Sequence, residues 1–264
     1  MRLKKNEKAL RPVFPNVGIG VAYRRKLQNL VDEMHNSVRY FIKAAYRKNE
    51  PIIAQDEIPA AELQKAIDEL TRQWCRRFRD GSEDLAAWFA KLAWRRSDAA
   101  LKKILRDAGI SVEFQMSRAM RDILRATVEA NVQMIRSIPE QYLTQVKNSV
   151  MRSVQVGRDL GSLAKELQEH YGVTKRRAAF IAIDQNNKAS SAMTRVRQLD
   201  LGLEDGVWRH SHAGIHPRPT HVANDGKRFS LRDGWYDPAV KEKILPGFLP
   251  RCRCFWTPVI RGFS

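Results

Sequence analysis

Apolar residues recur at steps of three and four up to about residue 205, and from residue 206 onward they do not. A 3.6-residue period builds helices that each bury one stripe. Beyond residue 205, Pro217, Pro219, Pro238, Pro246, Pro250 and Pro258 forbid long helices and leave short strands and ordered loops. The expected class is therefore α+β, an extended N-terminal helical region followed by a small irregular β-rich C-terminal domain. Three segments are expected: helices over 1–110, further helices over 111–205, and a β- and loop-rich unit over 206–264.

The stripes set the expected helices. Leu27, Leu30, Val31, Met34, Val38, Phe41, Ile42 and Ala45 share one face, and Asn49-Glu50-Pro51 ends it. A second stripe, Leu63, Ile67, Leu70, Trp74 and Phe78, stops near Asp80-Gly81. Ser82 then caps a third helix with Leu85, Trp88, Phe89 and Leu92 inward, ending at Asp107-Ala108-Gly109. These three read as a hairpin or bundle. Val112, Phe114 and Met116 alternate as a short strand would. A helical period returns from Met120 to Ile135, Pro139 opens another helix, and Gly157 and Gly161 break it. Ser162 caps a helix closed by Gly172, and Thr174 caps a last one ended by Gly202. Within it, Asp184-Gln185-Asn186-Asn187 either faces inward and bonds the tail or forms an exposed polar turn.

Lysine and arginine number 47 against 29 acidic residues, a formal charge of +18. That excess suits a polyanionic partner, nucleic acid above all. Arg39, Lys43 and Arg47 form a basic row at i+4 spacing, either a solvated face or a phosphate-contacting one; Arg218, Lys227, Arg228, Arg251 and Arg253 are the tail's candidates for the same contact. The basic start has no apolar stretch after it, which argues against a secretory leader. No apolar run reaches the roughly 20 residues of a membrane span. Three cysteines, an odd number, argue against a disulfide framework. A soluble, intracellular, cationic protein is the expectation.

The tail concentrates the chemistry: four of six histidines, two of three cysteines and three of six tryptophans. Such a unit has few apolar residues and usually needs a metal or a host domain. Cys252 and Cys254 could share one zinc ion with His221, the fourth ligand coming from His216 or His212, since thiolate and imidazole are zinc donors. The alternative is a buried, metal-free thiol pair packed on Trp208 or Trp256. A metal-dependent nuclease around His216, His221, Asp225 and the cysteines is a further reading, although the strand and helix of such sites are not evident. Gly-rich phosphate loops and nucleophile elbows are missing. Cys75 reads as a lone reduced thiol.

Four stretches, in order, resemble the Mu F-like family of minor head, or head morphogenesis, proteins of tailed bacteriophages. They are Asn131–Glu140, Arg176–Gln185, Trp208–Gly226 with its Pro-Arg-Pro-Thr-His, and Cys252-Arg-Cys254. The family often has arginine where Ile183 stands. The resemblance covers roughly residues 110–264. It implies a virion component made beside the portal, located in the head interior or at the portal vertex and in host cytoplasm during assembly. Its implied partners are portal protein, major capsid or scaffold proteins and double-stranded DNA bound without sequence preference; no membrane and no enzymatic activity are implied. A basic accessory factor that leaves before maturation is a third reading.

Overall fold

The computed structural model describes residues 6–48, 58–155, 160–212 and 216–262. The elements run β1 (Glu7–Ala9), α1 (Val17–Lys48), α2 (Ile58–Asp107), α3 (Arg118–Gln155), α4 (Leu160–Asp200), β2 (Asp205–Arg209), α5 (Pro219–Ala223), β3 (Arg228–Ser230), β4 (Trp235–Asp237), β5 (Glu242–Ile244) and β6 (Phe255–Arg261). Four long helices followed by a small antiparallel region make the chain α+β, as its sequence implies. Among the described residues no helix is long and apolar enough to cross a membrane.

Several expected breaks are absent. α2 runs through Gly81 and Ser82, α3 through Pro139, and α4 through Ser162, Gly172 and Thr174. A mid-helix glycine costs only about 1 kcal/mol, less than the apolar burial on either side returns. Ser82 is no cap: its hydroxyl donates to the Arg79 carbonyl inside the helix. Thr174 bonds the His170 carbonyl in the same way. Because α2 is continuous, its buried stripe beyond Ser82 is Ala86, Phe89, Ala90, Ala93, Leu101 and Leu105, while Leu85, Trp88 and Leu92 are only half-buried. Caps do occur at other residues. Asn16 Oδ1 accepts the Ile19 N–H and opens α1, and Ser117 Oγ accepts the Met120 N–H and opens α3. Gly202, at a φ of 74°, closes α4 with the Leu203 N–H on the Gln198 carbonyl and its own N–H on that of Leu199. The breaks expected at Asn49-Glu50-Pro51 and Gly157 lie outside the described residues.

The chain divides into two compact units. One unit takes Ala22–Ala86 and Glu129–Ala182. It is a bundle of four helical stretches with Tyr23, Leu27, Val31, Met34, Leu63, Ile67, Phe78, Ile135, Tyr142, Val146 and Leu163 buried. Its polar contacts are also internal. Tyr23 donates to Asn131 at 2.9 Å, and buried His35 meets the Tyr142 hydroxyl at 2.7 Å and stacks on Tyr171 at 4.2 Å between ring centroids.

The other unit takes Met1–Val21, Ala87–Val128 and Ile183–Ser264. It holds a four-stranded antiparallel sheet in the order β1-β6-β2-β3 and a separate β4-β5 ribbon. β1, from the start of the chain, pairs with the last strand in the register Glu7↔Arg261. No strand forms over 112–116. Val112 and Phe114 pack instead against a cluster of Leu10, Leu101, Leu105 and Leu203. The Gln115 carbonyl takes Arg197 Nη1 at 2.6 Å, and the Arg197 guanidinium lies 4.9 Å from the centre of the Phe114 ring. Arg197 is 2% exposed and grips Asp98 through two hydrogen bonds of 2.9 and 2.8 Å.

Candidate metal centre

The centre sits in the second unit, where loops from four places meet. Pro219 occupies the first turn of α5, a position where proline lacks no needed donor. Two residues on, α5 buries His221 to 2% exposure. The final approach to β6 carries Cys252 and Cys254 into a core with Trp208, Phe229, Leu231, Ile244, Leu245 and Trp256. Alternation along this stretch sends both sulfurs inward and Arg251 and Arg253 outward. The tail thus has a thiol-containing core beside its tryptophans, and Trp208 meets the His221 ring edge to face at 5.1 Å.

Among the described residues, the metal-type donors that converge are His221, Cys252 and Cys254, their ligand atoms all within 4.8 Å of one another. His221 Nδ1 lies 3.5 Å from the Cys252 sulfur and 3.6 Å from that of Cys254. On its other side Nε2 is 3.2 Å from Asp237 Oδ2, a carboxylate with no exposed surface. An acceptor-only carboxylate fixes the tautomer: Nε2 carries the proton and Nδ1 turns its lone pair to the sulfurs. Asp237 ends β4, and its second oxygen accepts the Ala239 N–H at 2.9 Å. It therefore caps its own turn while orienting the imidazole.

The two thiols titrate as a pair. The hydrogen bond that Cys254 donates pulls Cys252 down against burial, helped by the backbone N–H groups of Cys254 and Gly247. The same sharing, with burial, pushes Cys254 up. Gly247 reaches this place because nothing larger fits. Its φ is 84°, and a Cβ there would stand 2.7 Å from Ser191 Oγ.

α4 holds the cysteine loop by its polar face. Asp184 Oδ1 accepts the Arg251 N–H at 3.1 Å and its Oδ2 pairs with Lys188 at 2.7 Å, while Asn187 donates to the Cys252 carbonyl at 3.3 Å. Asp184, Gln185 and Asn186 are all buried. Of the two sequence readings of this stretch, the inward one that bonds the tail is correct.

The remaining candidates are more dispersed. His216 is exposed and lines a pocket of ≈ 40 Å³ against the sulfurs, with His210, Arg218, Arg251 and Arg253. It does not join the three converging donors. His212 is exposed and contacts His210, and Asp225 accepts the His210 N–H. Asp225 thus lies outside the donor cluster that a nuclease reading would require it to join. Arg218 donates to the Pro250 carbonyl at 2.9 Å, bracing the loop before the cysteines. Lys227 is exposed; Arg228 pairs with Glu7 at 2.8 Å. Arg39 and Lys43 are exposed on α1 in the first unit, and the Arg47 side chain lies outside the described residues. Cys75 is half-buried, and burial raises its thiol. Asp237 has no sequence signal: Trp-Tyr-Asp-Pro carries no ligand spacing, and its role exists only through the β4-β5 ribbon.

Residues 144–257 match the family described as Phage Mu protein F like protein. An uncharacterized protein of Haemophilus influenzae is 26% identical over 266 residues, which cover 97% of this chain. The chain spans 57% of that relative's length. No solved structure matches. The family match takes in the last third of α3, all of α4 and the tail through the cysteine pair.

Proposed function

We propose, for a chain whose residues 144–257 belong to the Phage Mu protein F like family, a structural role in bacteriophage head morphogenesis. The finer reading is a minor capsid protein present in few copies. It sits at the portal vertex or head interior, touching portal protein, capsid or scaffold subunits and packaged DNA. The family match supports this reading, because it covers α4, β2, β3 and the His/Cys cluster rather than one short motif. The formal charge of +18 supports the DNA part of it, since a basic surface gains affinity for phosphate by releasing counterions.

The test is to delete the gene in frame from a phage or inducible prophage that carries it and to examine the particles. Defective or empty heads, with the protein recovered from wild-type particles at a small fraction of the major capsid protein, are expected. Normal infectious particles after deletion, or absence of the protein from purified virions, would refute the virion role. Degradation of plasmid DNA by the purified protein with magnesium or manganese would replace it with the nuclease reading.

A further inference from the structure

The donor geometry in the tail goes beyond the head-protein reading, and it does so without using the family. We propose that Cys252, Cys254 and His221 bind one zinc ion through both sulfurs and Nδ1, with the fourth coordination position on the side of the small pocket.

Zinc takes thiolate sulfur at about 2.3 Å and imidazole nitrogen at about 2.0–2.1 Å in tetrahedral array, which sets the nitrogen about 3.6 Å from each sulfur. His221 Nδ1 stands 3.5 and 3.6 Å from the two sulfurs. A hydrogen-bonded pair does not require this symmetry. Nδ1 has a single lone pair, which can accept one S–H proton, so a metal-free site would favour one sulfur over the other. Equal spacing to both fits a centre lying among the three atoms.

The surroundings agree with thiolate ligands. Backbone N–H groups of Cys254 and Gly247 point at the Cys252 sulfur, and that of Ser211 points at Cys254. Sulfur as a repeated hydrogen-bond acceptor is the setting of a metal-bound thiolate. Asp237 supplies the carboxylate that zinc-bound histidines place on their far nitrogen. A dication with two thiolates and a neutral imidazole is uncharged as a set, so the ligand sphere itself adds no net charge to the buried core. The pocket of ≈ 40 Å³ on the open side has room for about one water as fourth ligand. Sulfur donors select zinc over magnesium or calcium, which prefer oxygen.

The experiment uses the full chain, purified under reducing conditions, dialysed against zinc sulfate and then against metal-free buffer. Elemental analysis should find about one zinc per chain, and cobalt(II) in its place should give the intense thiolate-to-metal absorption of a tetrahedral sulfur site. Cys252→Ser and Cys254→Ser should each lose that absorption. Both cysteines are core residues whose loss also removes packing, so Asp237→Asn serves as the second arm. It should keep the native circular dichroism while zinc affinity falls roughly 10- to 100-fold. His216→Ala should retain the metal, since His216 stands apart from the donors. Less than about one-tenth of a zinc per chain with no cobalt absorption, loss of the metal in His216→Ala, or an Asp237→Asn variant with unchanged affinity would each overturn the proposal.

Discussion

Asp184 and Arg251 are joined by a 3.1 Å hydrogen bond from the arginine's backbone N–H to the aspartate's carboxylate. It ties the middle of α4 to the residue immediately before the first tail cysteine. The side chain of Arg251 plays no part in that bond. The loop is fixed through its main chain, leaving side chains on either side free to differ.

Asp184→Ala removes this acceptor and also the partner of Lys188. A hydrogen bond to a charged group contributes about 1.5–3 kcal/mol. Amide exchange over residues 247–254 should speed accordingly, while exchange in the four-helix bundle stays as it was. Asp184→Asn, which keeps an acceptor but loses the ion pair, should fall between. Uniform acceleration across both units would contradict a local anchoring role.

A second prediction concerns Arg197 and Asp98. Their two-pronged pair is largely buried, so removing only the carboxylate strands a charge. Asp98→Ala should destabilise by about 3–5 kcal/mol in urea unfolding. Pairing it with Arg197→Met should recover much of the loss, because no buried charge is then stranded and only the Gln115 carbonyl loses a donor. If the double variant is no better than the single, the cost lies in packing on Phe114 instead.

His35 sets a pH dependence. Burial, then the nearby Arg39 charge, lowers its pKa from 6.5 to about 4. Between those values the unfolded chain binds a proton that the folded one refuses, so stability falls as pH drops. From pH 7 to pH 5 the loss from this group is roughly 1–2 kcal/mol. His35→Gln should show a shallower decline over the same range. Parallel curves for the two proteins would remove His35 from the account.

DNA affinity should fall linearly, on logarithmic axes, with salt, and show little preference for sequence. Lys43→Ala and Lys227→Ala each remove an exposed cation, one from each unit. A residue that touches phosphate should lower the slope by about 0.9 when removed. A response flat in salt would assign the +18 charge to acidic protein surfaces.

The stripes Leu63, Ile67, Leu70, Trp74 and Phe78 were legible because one period runs through them, and all five are buried. The junctions were not. Gly81, Pro139 and Gly172 carry local stop signals that tertiary burial on both flanks overrides. The proximity of His221 to both cysteines was legible from residue type, since few tail residues can share a core with thiols. Asp237 was hidden because its role depends on which way a three-residue strand faces. β1 was hidden for a similar reason: Glu7-Lys8-Ala9 has no pattern of its own and becomes a strand only beside β6.

That last pairing has a consequence for how the chain acquires its shape. β1 is made before β6, with the four long helices between them, so it has no strand partner until β6 has followed it. The sheet therefore closes as a late, non-local step, after the helices have formed from near neighbours. Until then the outer rim of β6 stands open to a strand from another chain. That interval is the time when pairing with a strand of another chain competes with correct closure.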